Sequence, residues 1–379
     1  MKILHLISGG DNGGAKTHVI TLLRKLIEQN IDVELLCIME GSFTREAIAE
    51  NIPTTIIAQR KRYSVKPIME IKKYIKNGNY DIVHCHGARA NYIAYFLKNS
   101  FRIPFITTLH SDYKLDFKDS FYKQAIFMPI NAVALRKFDY ILAVTNGFLE
   151  LLLERGFPKE SIKIIYNGIR MDQQLDCLPK EEFLSQYGLA YEESKTYIGL
   201  VARLQMVKGI WEFVKSAEIL LKTHQDLVFL IAGNGDMEKE VRAYLEKNDL
   251  TDNILLLGFV SDMNSFYNVI DLNALTSYSE SFPYALLEGA RVKKATVSTA
   301  VGGIPEMIQD GVTGYLAKSG DPNDIAEKME MCITNPEAMQ AIGNAFYEDV
   351  DERFSDVAMA NRHIEIYNEL IKEKTKHAK

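Results

Sequence analysis

Lys2-Ile-Leu-His-Leu-Ile7, then Gly9-Gly10-Asp11-Asn12-Gly13-Gly14-Ala15, then an amphipathic stretch over residues 17–30: on this passage the reading of the fold turns. A short apolar run, a glycine-rich loop and a helix-length pattern predict one βα unit with its loop at the carboxyl end of the strand. The unit recurs at 33–38, 54–57, 81–84, 105–108, 140–144 and 162–165, with helix-length segments between most of these runs. Strands that are apolar on both faces and separated by helices belong to a parallel sheet covered on both sides. From Asn167-Gly168 to about Lys195 the chain is turn-rich and charged, as in a linker with a short helix. The alternation restarts at 197–201, 227–232, 254–257, 272–275, 295–298 and 314–316, and helical pattern alone fills 322–376. The fold expected is α/β, with two doubly wound Rossmann-like domains facing across a cleft. Their bounds are 1–168 and 169–356, with a last helix over about 357–379 crossing back to the first. In open α/β sheets ligands bind beyond the carboxyl ends of the strands, so the site is expected in that cleft.

At 379 residues the chain exceeds one ordinary core and suits two domains of roughly 150 to 200 residues. The opening apolar run is too short for a signal peptide, and nowhere do 18 apolar residues follow one another, which leads us to expect a cytoplasmic protein. Cys37, Cys85, Cys177 and Cys332 are far apart without Cys-x-x-Cys spacing, and are expected to be buried thiols. The net charge of −6 hides a division: residues 1–180 hold 25 Lys and Arg against 18 Asp and Glu, leaving 19 against 32 for the rest. Much of the basic excess lies in Arg60-Lys61-Arg62, Lys66, Lys72, Lys73 and Lys76, where a helix is expected. Two readings stay open for it, a solvated helix face or a surface for an anionic partner such as phospholipid headgroups.

The motifs fall at strand ends. Glu280-Ser-Phe-Pro-Tyr-Ala-Leu-Leu-Glu288 reads as a turn opening into a helix, with Pro283 suited to the first turn because its missing N–H has no partner there. Arg203-Leu-Gln-Met-Val-Lys208-Gly209 follows a strand and leads into a helix. A planar guanidinium and a mobile ammonium at a helix mouth suit a diphosphate that gains charge as its bond to a sugar breaks. The Gly9–Gly14 loop, Gly233 and Gly258-Phe259 repeat the strand-end glycine theme, and backbone near Phe259 is placed to read a base edge. Gly302-Gly303-Ile-Pro305-Glu306 reads equally well as a structural turn. His110, just past the strand at 105–108, is a candidate by position, although a lone histidine is more often structural.

The ordered series Gly13-Gly14, His110, Asn167-Gly168, Arg203 with Lys208-Gly209, Gly233, Gly258-Phe259, Glu280-x7-Glu288 and Gly302-Gly303 resembles the family-4 glycosyltransferases, retaining enzymes of the GT-B fold, over nearly the whole chain. The resemblance implies that Arg203 and Lys208 bind the donor diphosphate and that Glu288 accepts hydrogen bonds from the ribose. Glu280 would face the donor sugar, and backbone amides of Phe282, Pro283-flanked Tyr284 and Ala285 would meet its hydroxyls or the phosphates. His110 would lie beside the transferred sugar, and the amides of Gly13 and Gly14 would approach the diphosphate. Lys16 departs from the pattern, since relatives often carry an acid after the glycines.

So read, the chain is a retaining, metal-independent hexosyl- or N-acetylhexosaminyltransferase, with no cofactor and no bound metal. Preorganised positive charge on the departing diphosphate is the largest help such a reaction can receive. A UDP-sugar is the first donor to test and GDP-mannose the second. The acceptor would be a hydroxyl, lipid-linked on one reading, in cell-surface polysaccharide or glycolipid synthesis, at the inner face of the membrane. No nucleic-acid partner is expected. The rivals are a GT-B nucleotide-sugar epimerase, which would need a second acid or base that the sequence does not reveal beside His110, a glycogen-phosphorylase-like enzyme, which would need a lysine-bound pyridoxal phosphate, and a noncatalytic sugar-binding protein.

Overall fold

The computed structural model describes residues 1–10, 13–59, 64–114, 121–172 and 175–377. Asp11 and Asn12 of the glycine loop, and Arg60, Lys61 and Arg62 of the basic stretch, lie outside the described residues. The chain forms two compact units, Met1–Gly168 with Asp356–Lys379, and Ile169–Ser355.

The first unit is built on strands β1 (Lys2–Ile7), β2 (Asp32–Cys37), β3 (Thr54–Ile56), β4 (Ile82–His86), β5 (Phe105–Leu109), β6 (Tyr140–Ala143) and β7 (Ile162–Ile164). They make one sheet in the order β3-β2-β1-β4-β5-β6-β7, with every recorded pairing parallel. Helices α1 (Gly14–Glu28), α2 (Ser42–Ala49), α3 (Val65–Gly78), α4 (Gly87–Leu97), α5 (Phe121–Leu135) and α6 (Asn146–Glu154) connect them. The second unit has α7 (Lys180–Ser185), β8 (Thr196–Val201), α8 (Ile210–Leu220), β9 (Leu227–Ala232), α9 (Glu238–Lys247), β10 (Ile254–Gly258) and α10 (Met263–Val269). It continues with β11 (Leu272–Leu275), α11 (Tyr284–Arg291), β12 (Ala295–Thr299), α12 (Ile304–Met307), β13 (Tyr315–Ala317), α13 (Pro322–Ile333) and α14 (Pro336–Phe354). Its sheet runs β10-β9-β8-β11-β12-β13. In each sheet the strand order reverses once, between β1 and β4 and between β8 and β11, and such switch points open a crevice at the strand carboxyl ends.

The strands form where the sequence is an unbroken apolar run because both sheet faces are covered. Ile3, Ile7, Val33 and Leu35 pack on one face of the first sheet with Leu22, Leu23 and Leu26 of α1, while Leu4, Leu6, Leu36 and Val83 pack on the other with Ile71 and Ile93. The final helix, α15 (Asp356–His377), adds Met359, Ala360, Ile366, Tyr367 and Leu370 to the first of these clusters. Arg24 on α1 donates to Asp356 at 2.9 Å, and Lys163 pairs with Glu369 at 2.7 Å.

Three local expectations need correction. The fourth strand runs on to His86, because His84 and His86 are buried by hydrogen bonding to other polar side chains, which apolar patterning does not register. Pro283 is the residue before α11 and not within its first turn; at φ −73° and ψ 125° it is extended, as a proline fixed near −65° readily is. Cys37, Cys85 and Cys332 are buried, whereas Cys177 is exposed, in the charged connection that precedes α7.

Candidate active site

In the second unit the β8/β11 switch point brings Lys208 and Glu280 together. After β8 the segment Ala202–Leu204 is clamped from behind: Leu204 N–H donates to Asn234 O at 3.0 Å, and Met237 N–H to Leu204 O at 3.1 Å. Gly233 makes this fit possible. Its φ is +142°, and a Cβ there would stand 1.9 Å from Ala202 O. Gly233 thus acts in this structure as a support for the segment that carries Arg203, whose side chain is exposed. Lys208 ends a short 3-10 turn, Met206–Lys208, and Gly209 follows at φ +62° with its Cβ position 1.8 Å from Thr276 O. The turn is tied to the loop after β11 by Thr276 Oγ1 donating to Gly209 O at 2.8 Å and Tyr278 N–H donating to Val207 O at 2.8 Å.

Those ties put Lys208 Nζ 2.7 Å from Glu280 Oε1, and Ser277 Oγ donates to the same oxygen at 2.6 Å. Charge-assisted bonds of this length hold both side chains in one orientation. Beyond Pro283, α11 starts without a side-chain cap at its N-terminus. Its first-turn amides are the donors that helices leave without intrahelical partners. Phe282 is buried with its ring 5.1 Å from that of Phe354, so its side chain is core and only its backbone faces the loop. Tyr284 buries its hydroxyl without a partner among the described atoms.

Glu288 stands one helical turn past Tyr284. The buried Tyr267 hydroxyl shares its one proton between Glu288 Oε2 at 3.2 Å and Ala285 O at 3.0 Å, and Asn273 Nδ2 also donates to Ala285 O at 3.2 Å. The residue keeps part of its surface exposed, yet its carboxyl end is deep enough that burial raises its pKa, opposed by the charge of Arg291 and the Tyr267 hydrogen bond. Phe259 is 75% exposed at the end of β10, an aromatic surface with no core role.

His110, Gly13 and Gly14 belong to the first unit. Gly13 caps α1 and Gly14 begins it, both exposed. His110 follows β5 and is not isolated: six of the chain's eight histidines form one cluster with Tyr367. His110 Nε2 lies 3.4 Å from His86 Nδ1, His86 Nε2 lies 3.1 Å from His5 Nδ1, and the His18 ring meets the His110 ring edge-on at 4.8 Å. His18 Nδ1 donates to Asn167 Oδ1 at 3.0 Å, which is what Asn167 does here. Burial lowers the pKa of His5 to about 3 and of His18 to about 4, and burial with neighbouring imidazoles holds His84, His86, His110 and His363 well below the usual value.

The sequence reading found no second group beside His110; the structure supplies His86 and His18. His84-x-His86 carried a usable signal, since alternate strand residues share a face. The partnership with His5 depends on the β1–β4 register, in which His5 stands opposite His84. His5, His84 and His86 offer three ligand nitrogens within 4.8 Å of one another. Both nitrogens of His84 are engaged by the hydroxyls of Tyr367 and Thr108, and both of His86 by histidines. A metal would have to displace these bonds, and the group reads as a hydrogen-bonded chain.

Comparison with known proteins agrees with this geometry. The profile of the glycosyl transferases group 1 matches residues 186–349, and that of glycosyltransferase family 4 matches residues 12–173. The N-acetyl-alpha-D-glucosaminyl L-malate synthase of Bacillus anthracis is 26% identical over 84% of this chain and 82% of its own length. The capsular polysaccharide biosynthesis glycosyltransferase CapM of Staphylococcus aureus is 26% identical over 62% of each chain. Among solved structures, Anabaena HepE in complex with UDP superposes with a TM-score of 0.83 at 20% identity, over 97% of this chain and 100% of that one. With one profile lying largely in each unit and GT-B neighbours along nearly the whole chain, the protein belongs to the family-4 glycosyltransferases and is itself a glycosyltransferase of that fold.

Proposed function

We propose that the protein is a retaining, metal-independent transferase that moves a sugar from a UDP-sugar to a hydroxyl acceptor, in the synthesis of a cell-surface polysaccharide or glycolipid. The observation that carries this reading is the Lys208–Glu280–Ser277 constellation at the β8/β11 switch point, with Arg203 on the same strand-end segment. Arg203 and Lys208 neutralise the leaving diphosphate as its charge grows, and this preorganised charge lowers the barrier. Glu280 orients Lys208 and the donor sugar, the amides at the start of α11 receive sugar hydroxyls or phosphate oxygens, and Glu288 accepts from the ribose. On this reading the second unit holds the donor and the first the acceptor, with His110 beside the transferred sugar.

HepE was solved with UDP and with UDP-glucose, which makes uridine donors the first to test. GDP-mannose comes second. Screening hydrolysis of a nucleotide-sugar panel, with the anomer of the transferred product read by NMR, tests donor and stereochemistry together. No turnover of any nucleotide sugar, or an inverted product, overturns the reading. Full activity in EDTA is expected, and loss of turnover restored by a divalent ion would contradict the metal-free scheme.

The basic helix bears on where the acceptor lies. On α3, Val65 and Met69 are 65% and 55% exposed beside exposed Lys66, Lys73 and Lys76. Apolar and cationic side chains side by side on one helix are the composition of a face that rests on anionic lipid. Wild type should sediment with anionic but not neutral vesicles, and Arg60, Arg62, Lys72 and Lys73 changed together to Gln should abolish it. Equal sedimentation of the two proteins would make the helix a solvated face.

A further inference from the structure

A cavity of about 290 Å³ opens at the other switch point, between the carboxyl ends of β1 and β4. It lies at the small end of ligand pockets, room for a headgroup and not for a polymer. Its lining includes Ala15 in the first turn of α1, Gly87, Ala88 and Arg89 in the first turn of α4, and His110 and Asn131. Two helices therefore direct their N-terminal turns at one space, and neither carries an acidic residue in that turn. Amides and positive dipole ends so placed favour an anion.

Asn131 is an independent sign of a ligand. It is 2% exposed, and its Nδ2 has no partner among the described atoms. Its orientation is set by a chain in which Thr107 Oγ1 donates to Asn91 Oδ1 at 2.7 Å and Asn91 Nδ2 donates to Asn131 Oδ1 at 3.2 Å, leaving an amide donor unused. A buried donor without a partner is costly and rare, and ligands are among the groups that resolve it. Arg89 supplies the charge, and its partners include the side-chain and backbone oxygens of Gln59 and, at 2.7 Å, Met39 Sδ. No carboxylate lines the cavity among the described residues. His110 and His86, kept neutral by burial, add no charge of their own but bring ring nitrogens to the wall.

We propose that this cavity is a subsite for an oxyanion carried by the acceptor, a carboxylate or a phosphate, gripped by Arg89, Asn131 Nδ2 and the first-turn amides of α4. The assignment rests on reading the first unit as the acceptor side. It narrows the acceptor from any hydroxyl compound to one with an anionic group near the hydroxyl that is glycosylated.

Calorimetry with malonate, inorganic phosphate, glucose and UDP on wild type, Arg89→Gln and Asn131→Asp tests it, and malonate against phosphate separates the two anion types. Malonate or phosphate should bind where glucose does not, and the affinity should fall about tenfold or more in Arg89→Gln and further in Asn131→Asp, which keeps the bond from Asn91 and adds a repelling charge. UDP affinity should be retained in Arg89→Gln. Equal anion binding by wild type and Arg89→Gln overturns the proposal, as does absence of binding by either anion. A parallel loss of UDP affinity overturns it too, by giving the cavity to the donor diphosphate. None of these readouts requires turnover, so failure of the transferase reading would show separately, as no hydrolysis of any nucleotide sugar.

Discussion

At the β1/β4 switch point neutral imidazoles, kept so by burial, surround a single lining cation, Arg89, whereas at the β8/β11 switch point the side chains are a lysine, an arginine and two glutamates. The backbone device is the same in both units: a parallel sheet reverses its strand order and leaves a crevice at the strand ends. What differs is how much fixed charge stands there. A group meant to stabilise a developing diphosphate gains from being charged before the reaction starts. Neutral imidazoles around Arg89 offer donors and acceptors without a charge that competes with its own. The difference can be broken or sharpened by experiment, starting with acid.

Acidification should separate the units most. His5 and His18 have folded pKa values of about 3 and 4 against 6.5 unfolded. Below pH 6.5 the unfolded chain takes up protons that the folded unit refuses, so stability is present above the unfolded value and is lost as pH falls toward the folded ones. Each such histidine removes on the order of 1 kcal/mol one pH unit below 6.5, and six are clustered in the first unit. The second unit contains one histidine, His224, at its surface beside Glu330. Hydrogen exchange between pH 7 and 5 should show the first unit opening first. Equal acid sensitivity of the two units would mean that the cluster is not held neutral.

Removing fixed charge comes next in size. Arg203→Ala and Lys208→Ala should each lower kcat at saturating donor by about 10²-fold or more. Lys208→Ala also strips Glu280 of its 2.7 Å partner. Near-normal turnover in both variants would take the two cations out of the mechanism and erase the contrast between the sites.

Glu288 tests whether a charged group is kept at the expense of stability. A carboxyl whose pKa is higher folded than unfolded destabilises the fold progressively as pH rises from the unfolded value through the folded one, and the penalty is complete above it. Burial raises Glu288 in this way. Glu288→Gln should therefore leave the second unit at least as stable at neutral pH while weakening nucleoside diphosphate binding by roughly 1 to 3 kcal/mol. Thermal melts and calorimetry on one preparation measure both. Unchanged affinity would reduce Glu288 to a partner of Tyr267.

The sequence made the second site more legible than the first. Lys208, Glu280 and Glu288 announce themselves because charged residues at strand ends, next to glycines and a helix start, have few structural reasons to be there. The thirteen strands among the described residues were legible for the opposite reason, as apolar runs between helices. His84, His86 and Asn91 fall between these signals. They are polar by type and buried by hydrogen bonding to other polar side chains, and the bonds join residues as far as 283 positions apart, as His84 to Tyr367. Asn131, whose unused amide marks the cavity, is equally silent in sequence. Phe282 misleads in another way, since only its packing on Phe354 shows that its side chain is core.

The smallest expected effect comes from a second lysine–glutamate pair, which tests whether pairing alone makes a site. Lys16 on α1 bonds Glu46 on α2, with side chains 23% and 44% exposed, against 20% and 9% for Lys208 and Glu280. Exposed pairs are screened by water and contribute about 0 to 1 kcal/mol. Lys16 is also the position at which the sequence departs from the family pattern it otherwise resembles. If Lys16 merely ties α1 to α2, Lys16→Ala should shift the melting temperature slightly and leave the donor KM unchanged. If the departure is functional, with Lys16 leaving Glu46 to meet the diphosphate beside Gly14, the donor KM should rise severalfold while stability stays within about 1 kcal/mol of wild type. We expect the first outcome, because Glu46 gives Lys16 a partner on its own unit; a raised donor KM would show that charge at the first site is also recruited to the leaving group.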